Sequence, residues 1–188
     1  MTEITIVNRR QVLQGHAFNV EKVRLLLPDN RERDYDLVDH NDAVTILPID
    51  DEGMVYFVRQ YRVGAEKELL ELPAGVMDEG EAPLTTAHRE LQEEIGRDAS
   101  VMERIGGFYM APGYTTEYMH IFLATNLRES LLEHDEDEFL NLIKVDLREV
   151  FDMIRSGQIE DGKTISAFLL AMPMLNELLM AAYGFEEN

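Results

Sequence analysis

Residues Gly75–Arg97 read GVMDEGEAPLTTAHRELQEEIGR, a glycine-containing loop followed by a helical pattern. Glu90, Glu93 and Glu94 have the i, i+3 and i+4 spacing that places three side chains on one face of a helix. Apolar residues mark the opposite face, which we expect to be buried: Leu84, Ala87, Leu91 and Ile95. Because three neighbouring carboxylates repel each other, the pattern favours a site for a hard cation such as Mg²⁺ or Mn²⁺. The alternative is a solvated acidic helix face.

The spacing of the glycine and polar positions continues through the whole stretch. Five residues separate Gly75 from Glu81, and seven more separate Glu81 from the run Arg89–Gly96, RELQEEIG. This long fixed pattern resembles the signature of the Nudix hydrolases, and it favours the metal-binding interpretation over the solvated face. Arg97 departs from the signature, because the family usually has an aliphatic residue there. We expect this difference to affect packing more than chemistry.

The charge of the chain limits its partners. The 188 residues include 37 acidic and 17 basic side chains, which give a formal net charge of −20. Such a field repels nucleic acid, so we expect no nucleic-acid partner. It also repels free nucleotides, so a phosphorylated substrate would need positive charge that a metal ion supplies locally.

The sequence has no cysteine, which excludes disulfides, thiolate catalysis and cysteine metal sites and fits a cytoplasmic location. The first residues, MTEITIVNRRQ, lack the apolar segment of a secretory signal. No apolar run approaches the roughly 18 residues of a membrane span, so we expect no membrane partner.

The order of strand and helix patterns predicts one α+β domain over residues 1–188, a mixed sheet with helices on its faces. An N-terminal antiparallel sheet is predicted within residues 1–40, from strands at 4–13, 17–27 and 32–38. Further strands are predicted at 43–49, 54–59, 99–110, 118–124 and 139–145, and helices at 146–155 and 164–183. We expect residues 50–53, Asp-Asp-Glu-Gly, to form a hairpin turn.

Motifs outside the signature resemble one branch of the family, the ADP-ribose and nucleoside-diphosphate-sugar pyrophosphatases. They are Val58–Arg62, VRQYR; Glu71–Gly75, ELPAG; Ala111–Gly113, APG, with Thr115 and Glu117; and the acidic loop Glu133–Glu138, EHDEDE. The resemblance implies an α/β/α sandwich around a mixed sheet for residues 41–188. It also implies that the sheet of residues 1–40 helps to form a homodimer, often by exchange between subunits.

The same resemblance implies an enzyme that uses Mg²⁺, or Mn²⁺ as an alternative, to hydrolyse the pyrophosphate bond of ADP-ribose or a related nucleoside diphosphate sugar. The products would be a nucleoside monophosphate and a sugar phosphate. GDP-mannose is the main rival substrate. A Nudix domain that senses a nucleotide sugar without hydrolysing it is the alternative of another class, and we expect such a domain to lack a metal carboxylate or to carry a DNA-binding extension. The acidic surface disfavours mRNA decapping.

The resemblance also implies a set of metal-site residues. Glu90 and Glu94 are the expected ligands, with Glu93 at a second metal ion and the backbone carbonyl of Ala74 as a further ligand. Arg89 is expected to orient the acids, Glu81 among them, rather than to contact substrate.

The remaining roles concern the base and the substrate. The general base is expected in the acidic loop, at Glu136 or Glu138, and Glu138 is favoured because it lies directly before a strand. The residues expected to hold the substrate are Arg59, Arg62 and Glu117, with Glu71 or Tyr61 near the sugar or base. Ion pairing with surface acids is the alternative role of the two arginines.

Overall fold

The computed structural model describes residues 3–130 and 141–183, and the chain's contacts divide it into two compact units. The described strands are β1 (Thr5–Gln14), β2 (Asn19–Leu26), β3 (Glu32–Asp39), β4 (Ala43–Pro48), β5 (Met54–Arg62), β6 (Lys67–Glu71), β7 (Ala74–Val76), β8 (Arg97–Tyr109), β9 (Tyr118–Glu129) and β10 (Asn141–Asp146). The described helices are α1 (Pro83–Ile95), α2 (Leu147–Ser156) and α3 (Gly162–Tyr183). None of these helices is long and apolar enough to cross a lipid bilayer.

The first unit consists of the residues up to Asp42 together with Phe108–Tyr118. Its sheet has the order β1-β2-β3, and both neighbouring pairs are antiparallel, which confirms the predicted N-terminal sheet. The turn between β2 and β3 contains Asn30 with a left-handed φ of 63°, a conformation that asparagine tolerates well. Every residue of β1 is exposed.

The second unit consists of Ala43–Gly107 and the chain from Met119 onward. Its two sheets have the strand orders β7-β4-β9-β8 and β10-β5-β6. The first of them is mixed, because β4 runs parallel to β9 and antiparallel to β7. The second has only antiparallel pairs, β10 with β5 and β5 with β6.

The predicted turn at residues 50–53 is confirmed, although β4 and β5 do not form an extended two-stranded ladder. The chain does reverse at residues 50–53, where the Asp50 carboxylate accepts from the backbone N–H of Met54 at 2.8 Å. However, the two strands share only one bridge, between Ile49 and Val55. The reason is that β5 already has β10 on one edge and β6 on the other, so neither edge is left for β4.

Helix α1 covers one face of the strands of the second unit. Its residues Ala87, Leu91 and Ile95 are buried in one cluster with residues of β4, β5, β8 and β9. The strand residues of this cluster are Val44, Ile46, Tyr56, Val58, Ala99, Phe122 and Ala124. Leu84, which the sequence placed on the buried face, is 47% exposed, because it lies in the first turn beyond the edge of the packed stripe.

Helices α2 and α3 lie on the opposite face. Phe57 follows Tyr56 on β5 and therefore points to the other side of the strand. Its ring stacks on Phe168 of α3 with centroids 6.1 Å apart, and Phe151 of α2 meets the same ring edge-on at 6.0 Å. Helices on both faces of the strands confirm the α+β prediction and the sandwich that the resemblance implied.

The ends of α1 follow from its sequence. Pro83 is its first residue, which suits proline because the missing N–H has no intrahelical partner there. Gly96 caps the other end in the left-handed region at φ 64°, and its N–H donates to the carbonyls of Gln92 and Leu91. Glu81 precedes the helix, and its carboxylate accepts from Arg89 of α1.

Arg97, the residue that departs from the signature, is accommodated at the surface of the sheet. Its guanidinium forms an ion pair with Glu129 at 3.1 Å and lies 6.0 Å from the ring centroid of Tyr56. Its neighbour Asp98 is buried, and its carboxylate meets Nδ1 of His88 on α1 and Nη2 of Arg128 on β9, each at 2.6 Å. Asp98 therefore ties α1 to β8 and β9.

The Asp98 contacts predict a pH-dependent contribution to stability. Burial alone would raise the pKa of Asp98, but the bonds from Arg128 and His88 lower it to about 2, below the ordinary value of 3.8. The stabilisation is therefore complete above about pH 4 and is lost as the pH falls toward 2. We expect Asp98→Asn to lower the free energy of unfolding by about 1–3 kcal/mol at pH 7 and by clearly less at pH 3.

Urea unfolding followed by circular dichroism at both pH values measures this difference. The matched control is Asp152→Asn, which removes an exposed ion pair with Arg155 and should change stability by less than about 0.5 kcal/mol at either pH. An Asp98→Asn protein as stable as the parent at pH 7 would contradict the prediction.

Candidate active site

Arg89 is the centre of the acidic face of α1. Its Nη1 donates to Glu90 Oε1 at 2.6 Å and to Glu93 Oε2 at 2.9 Å. Its Nη2 donates to Glu81 Oε2 at 3.1 Å and to the carbonyl of Val76 at 3.2 Å. Burial disfavours the charged form, but the bonds to these carboxylates hold the pKa of Arg89 above its ordinary value. One guanidinium thus orients three carboxylates and the loop that precedes the helix.

Glu90 lies directly against the backbone of Gly75. A Cβ atom on Gly75 would come within 1.9 Å of Glu90 Oε1, so any larger residue there would displace the carboxylate. Glu90 is only 7% exposed, and its charge is therefore held in a defined place. This close approach explains why the first position of the signature requires glycine.

Glu94, one turn further along α1, is fixed from the other side of the same loop. It is 3% exposed, and its Oε2 accepts from the backbone N–H of Ala74 at 2.9 Å. Since the N–H and the carbonyl of Ala74 belong to the same short strand β7, this bond also fixes the carbonyl expected to be a ligand. Ala74, Gly75, Glu90 and Glu94 therefore form one packed group.

The donor set fits a divalent cation. Four carboxylates, those of Glu81, Glu90, Glu93 and Glu94, share the region with the single positive charge of Arg89, so three negative charges remain uncompensated by it. Carboxylate and carbonyl oxygens are the ligands that Mg²⁺ and Mn²⁺ prefer. In the described part of the chain, no three of these side chains converge on one point as a complete ligand set. Arg89 Nη1 lies between Glu90 and Glu93 and donates to both carboxylates.

Arg62 and Glu71, both expected near the substrate, bind each other. Arg62 Nε donates to Glu71 Oε1 at 2.8 Å, and Nη2 donates to Oε2 at 2.7 Å. The Glu71 side chain is 1% exposed and also accepts from Lys163 Nζ, whereas the Arg62 side chain is 41% exposed. Arg62 thus presents part of its guanidinium to solvent, and Glu71 lies behind it.

The other predicted substrate residues are in different positions. Arg59 and Tyr61 are exposed on β5, and Arg59 makes no ion pair within residues 3–130 and 141–183. Glu117 belongs to the first unit, where it lines a cavity of about 480 Å³ with Phe18, Val38, His40, Met110, Ala111, Tyr114 and Thr115. Glu136 and Glu138, the expected bases, lie outside the described residues.

Sequence reasoning missed Lys163 and its neighbours at the start of α3. Asp161 accepts from the backbone N–H of Thr164 at 2.9 Å and from its hydroxyl at 2.6 Å, so it caps the helix. The spacing of Asp161 and Thr164 is a capping pattern that the sequence did offer. The ion pair of Lys163 with Glu71 joins residues 92 positions apart, and no local pattern signals such a contact.

Comparisons with known proteins add an independent finding. The family profile described as NUDIX domain matches residues 39–168. The chain is 34% identical over 177 residues to the ADP-ribose pyrophosphatase of Bacillus subtilis, covering 93% of this chain and 95% of that protein. It is 34% identical over 134 residues to the GDP-mannose pyrophosphatase of Salmonella typhimurium, covering 66% of this chain and 70% of that protein. The crystal structure of an ADP compounds hydrolase matches with a TM-score of 0.83 and 32% identity, covering 93% of this chain and 95% of that one.

The contact between Gly75 and Glu90 predicts that Gly75→Ala will weaken binding of a divalent cation. The added methyl group displaces the Glu90 carboxylate, and we expect the dissociation constant for Mn²⁺ to rise about tenfold or more. Electron paramagnetic resonance of free Mn²⁺ measures it directly. The control is Gly64→Ala, where a Cβ meets no atom within 4 Å, and which should bind Mn²⁺ like the parent. Equal affinities in both variants would contradict the assignment of Glu90.

Proposed function

This chain belongs to the Nudix family of hydrolases, and from that premise we propose that it hydrolyses the pyrophosphate bond of ADP-ribose or a related nucleoside diphosphate sugar in an Mg²⁺-dependent reaction. The family and its relatives show that the chain is a hydrolase acting on pyrophosphate bonds of nucleoside diphosphate derivatives. The observation that carries the proposed dependence on Mg²⁺ is the pair of buried carboxylates, Glu90 and Glu94, packed against Ala74 and Gly75.

The residues of this group would hold the cation. Glu90, Glu94 and the carbonyl of Ala74 are the proposed ligands, and Glu93 is proposed at a second ion. A divalent cation supplies positive charge to the diphosphate and can lower the pKa of a bound water. Nudix hydrolases generally need divalent cations, and Mg²⁺, with Mn²⁺ as an alternative, suits an all-oxygen donor set.

The chain's own side chains have three tasks in this proposal. Arg89 orients Glu90, Glu93 and Glu81, so its charge serves the ligands rather than the substrate. The Arg62 guanidinium, exposed at one end, contacts a phosphate, which planar guanidinium groups bind well. A carboxylate of the acidic loop removes a proton from the attacking water, and we propose Glu138, with Glu136 as the alternative.

Three further residues complete the proposed substrate contacts. Arg59 and Tyr61 are both exposed on β5. Arg59 is proposed to contact a phosphate, and Tyr61 is proposed to contact the sugar or the base. Glu117 is proposed to bind the substrate as well. Glu71 is too buried for direct contact in this arrangement, and its proposed role is to support Arg62.

GDP-mannose is the alternative substrate within the same chemistry, and the Salmonella typhimurium relative supports it. ADP-ribose is favoured because the match to the Bacillus subtilis enzyme extends over 93% of this chain, against 66% for the Salmonella protein. A non-catalytic nucleotide-sugar sensor is disfavoured, since Glu90, Glu93 and Glu94 are all present. The cytoplasmic location stays a prediction from the absence of cysteine.

The exposed sheet of the first unit supports the proposal of a homodimer. Large apolar side chains of β1 are about half exposed, a costly arrangement for a monomer in water. They are Ile6 at 51%, Val7 at 50%, Val12 at 45% and Leu13 at 53%. A second copy of the chain is the proposed occupant of this surface.

The substrate proposal predicts the products and the effect of one carboxylate. With Mg²⁺ and a panel of nucleotide sugars, dinucleotides and diadenosine polyphosphates, we expect AMP and ribose 5-phosphate from ADP-ribose, as resolved by chromatography. Glu94→Gln removes a ligand charge and should lower kcat at least about 10³-fold, and chelation of the metal should do the same. Glu103→Gln, an exposed acid outside the site, is the control and should keep full activity.

Each outcome of the panel has a distinct meaning. Faster cleavage of GDP-mannose would keep the mechanism and change the substrate. Tight binding of one nucleotide sugar without turnover of any would overturn the hydrolase mechanism proposed for this site. Full activity of Glu94→Gln would refute the assignment of that ligand.

The dimer proposal predicts the mass in solution. Light scattering after size-exclusion chromatography should give twice the 21.6 kDa of one chain. Val12→Asp places a charge on the exposed apolar strand and should shift the protein toward the monomer. The control is Val63→Asp, at a position that is 82% exposed in the second unit. A parent protein of 21.6 kDa at micromolar concentration would contradict the proposal.

A further inference from the structure

A group of four charges, two of them buried, lies at the start of α3. Glu71, at the end of β6, has 1% of its side chain exposed, and Lys163 has 9%. Lys163 Nζ donates to Glu71 and also to Asp161 Oδ1 at 3.0 Å. With Arg62, the group holds two positive and two negative charges. Burial of charges is tolerable only when each has a well-placed partner, and here each one has.

Lys163 and Arg62 share one acceptor. The Glu71 Oε2 atom accepts from Lys163 Nζ and from Arg62 Nη2, while Oε1 accepts from Arg62 Nε. Burial would raise the pKa of Glu71, but the bonds from Arg62 and the charge of Lys163 hold it below its ordinary value. Two of the five N–H groups of Arg62 are thereby fixed, and the exposed remainder points away from Glu71.

The same network reaches the metal-site loop. The Thr164 hydroxyl accepts from the backbone N–H of Leu72 at 2.9 Å, and two residues later the N–H of Ala74 donates to Glu94. Arg62 is also close enough to Glu94 for that carboxylate to raise its pKa, after the larger effects of Glu71 and burial. The start of α3 thus holds both Arg62 and the segment that enters the acidic site.

We propose that Lys163 is a positioning residue for substrate binding, which fixes Glu71 and through it the Arg62 guanidinium that contacts the substrate diphosphate. This inference rests on the proposed function, because it assumes that Arg62 contacts substrate. Without Lys163, Glu71 would lose one of the two cations that hold its carboxylate in place. Its hydrogen bonds with Arg62 would then loosen, and the guanidinium would no longer be held in one orientation toward the substrate. Lys163 itself touches no substrate.

A double-mutant cycle separates positioning from a general structural role. We expect Lys163→Met and Arg62→Met each to raise KM for ADP-ribose about tenfold, with a much smaller change in kcat. The double variant should be no worse than Arg62→Met alone, because Lys163 acts only through Arg62. The control is Lys67→Met, which removes an exposed lysine that pairs with Glu160 and should leave KM unchanged.

A spectroscopic measurement tests the same contact without turnover. In ¹⁵N-labelled protein, the Arg62 Nε–H group bound to Glu71 should exchange slowly with solvent, and its signal is assigned by its loss in Arg62→Met. Lys163→Met should accelerate that exchange at least about tenfold, whereas Lys67→Met should not. If Lys163→Met does not fold, Lys163→Gln, which keeps a donor without the charge, takes its place.

The outcomes distinguish this inference from the function on which it rests. A parent protein without turnover would refute the proposed function, and the Nε–H exchange would then decide whether Lys163 positions Arg62. Unchanged exchange and unchanged KM in the Lys163 variant would overturn the inference while leaving the hydrolase intact. The inference would also be overturned if the increases in KM of the two single variants multiplied in the double variant. A Lys163 variant with a lowered Tm and an unchanged KM would overturn it too.

Discussion

The organisation of the second unit depends on the repulsion between the carboxylates of α1. Glu90, Glu93 and Glu94 lie on one face of a 13-residue helix, and a charge cluster of this kind weakens an isolated helix. Arg89 relieves part of the repulsion, and the apolar stripe around Leu91 supplies the burial that holds the helix on the sheet. The unrelieved negative charge is the property that suits the face for a cation. The energetic weakness of the helix and the chemistry of the site thus have the same cause.

The loop before α1 is held from two directions. On one side, Glu94 and Glu90 contact Ala74 and Gly75, and on the other side Thr164 at the start of α3 binds Leu72. The segment between β6 and the acidic helix, which includes β7, therefore has little freedom. A site assembled from backbone and side-chain oxygens gains precision from such a fixed loop, because its ligands need not be ordered when the substrate arrives.

Sequence reasoning reached the helix and the identity of its acidic face because these depend on residues within one or two turns of each other. The turn at Asp50–Gly53 was within reach of the sequence, but the partners of β5 were not, because the pairing of β6 and β10 with its edges depends on distant parts of the chain. The burial of Glu71 was missed for the same reason, because its partner Lys163 is 92 positions away. The sequence does not distinguish the roles of charged residues near a motif. Their burial in the structure distinguishes an acid that supports another side chain from one that faces the substrate.

The parallel pairing of β4 with β9 has a consequence for the order in which the chain folds. It joins Ala43 to Met119, and the entire acidic helix lies in the intervening loop. Closing so long a loop lowers the entropy of the chain before the new contacts can stabilise it. Pairings between residues far apart in sequence therefore slow folding. The meander β1-β2-β3, by contrast, joins neighbours in the chain and needs only short closures. A growing chain can therefore complete its N-terminal sheet early, whereas the sheet beneath the acidic helix is complete only after β9 has been synthesised.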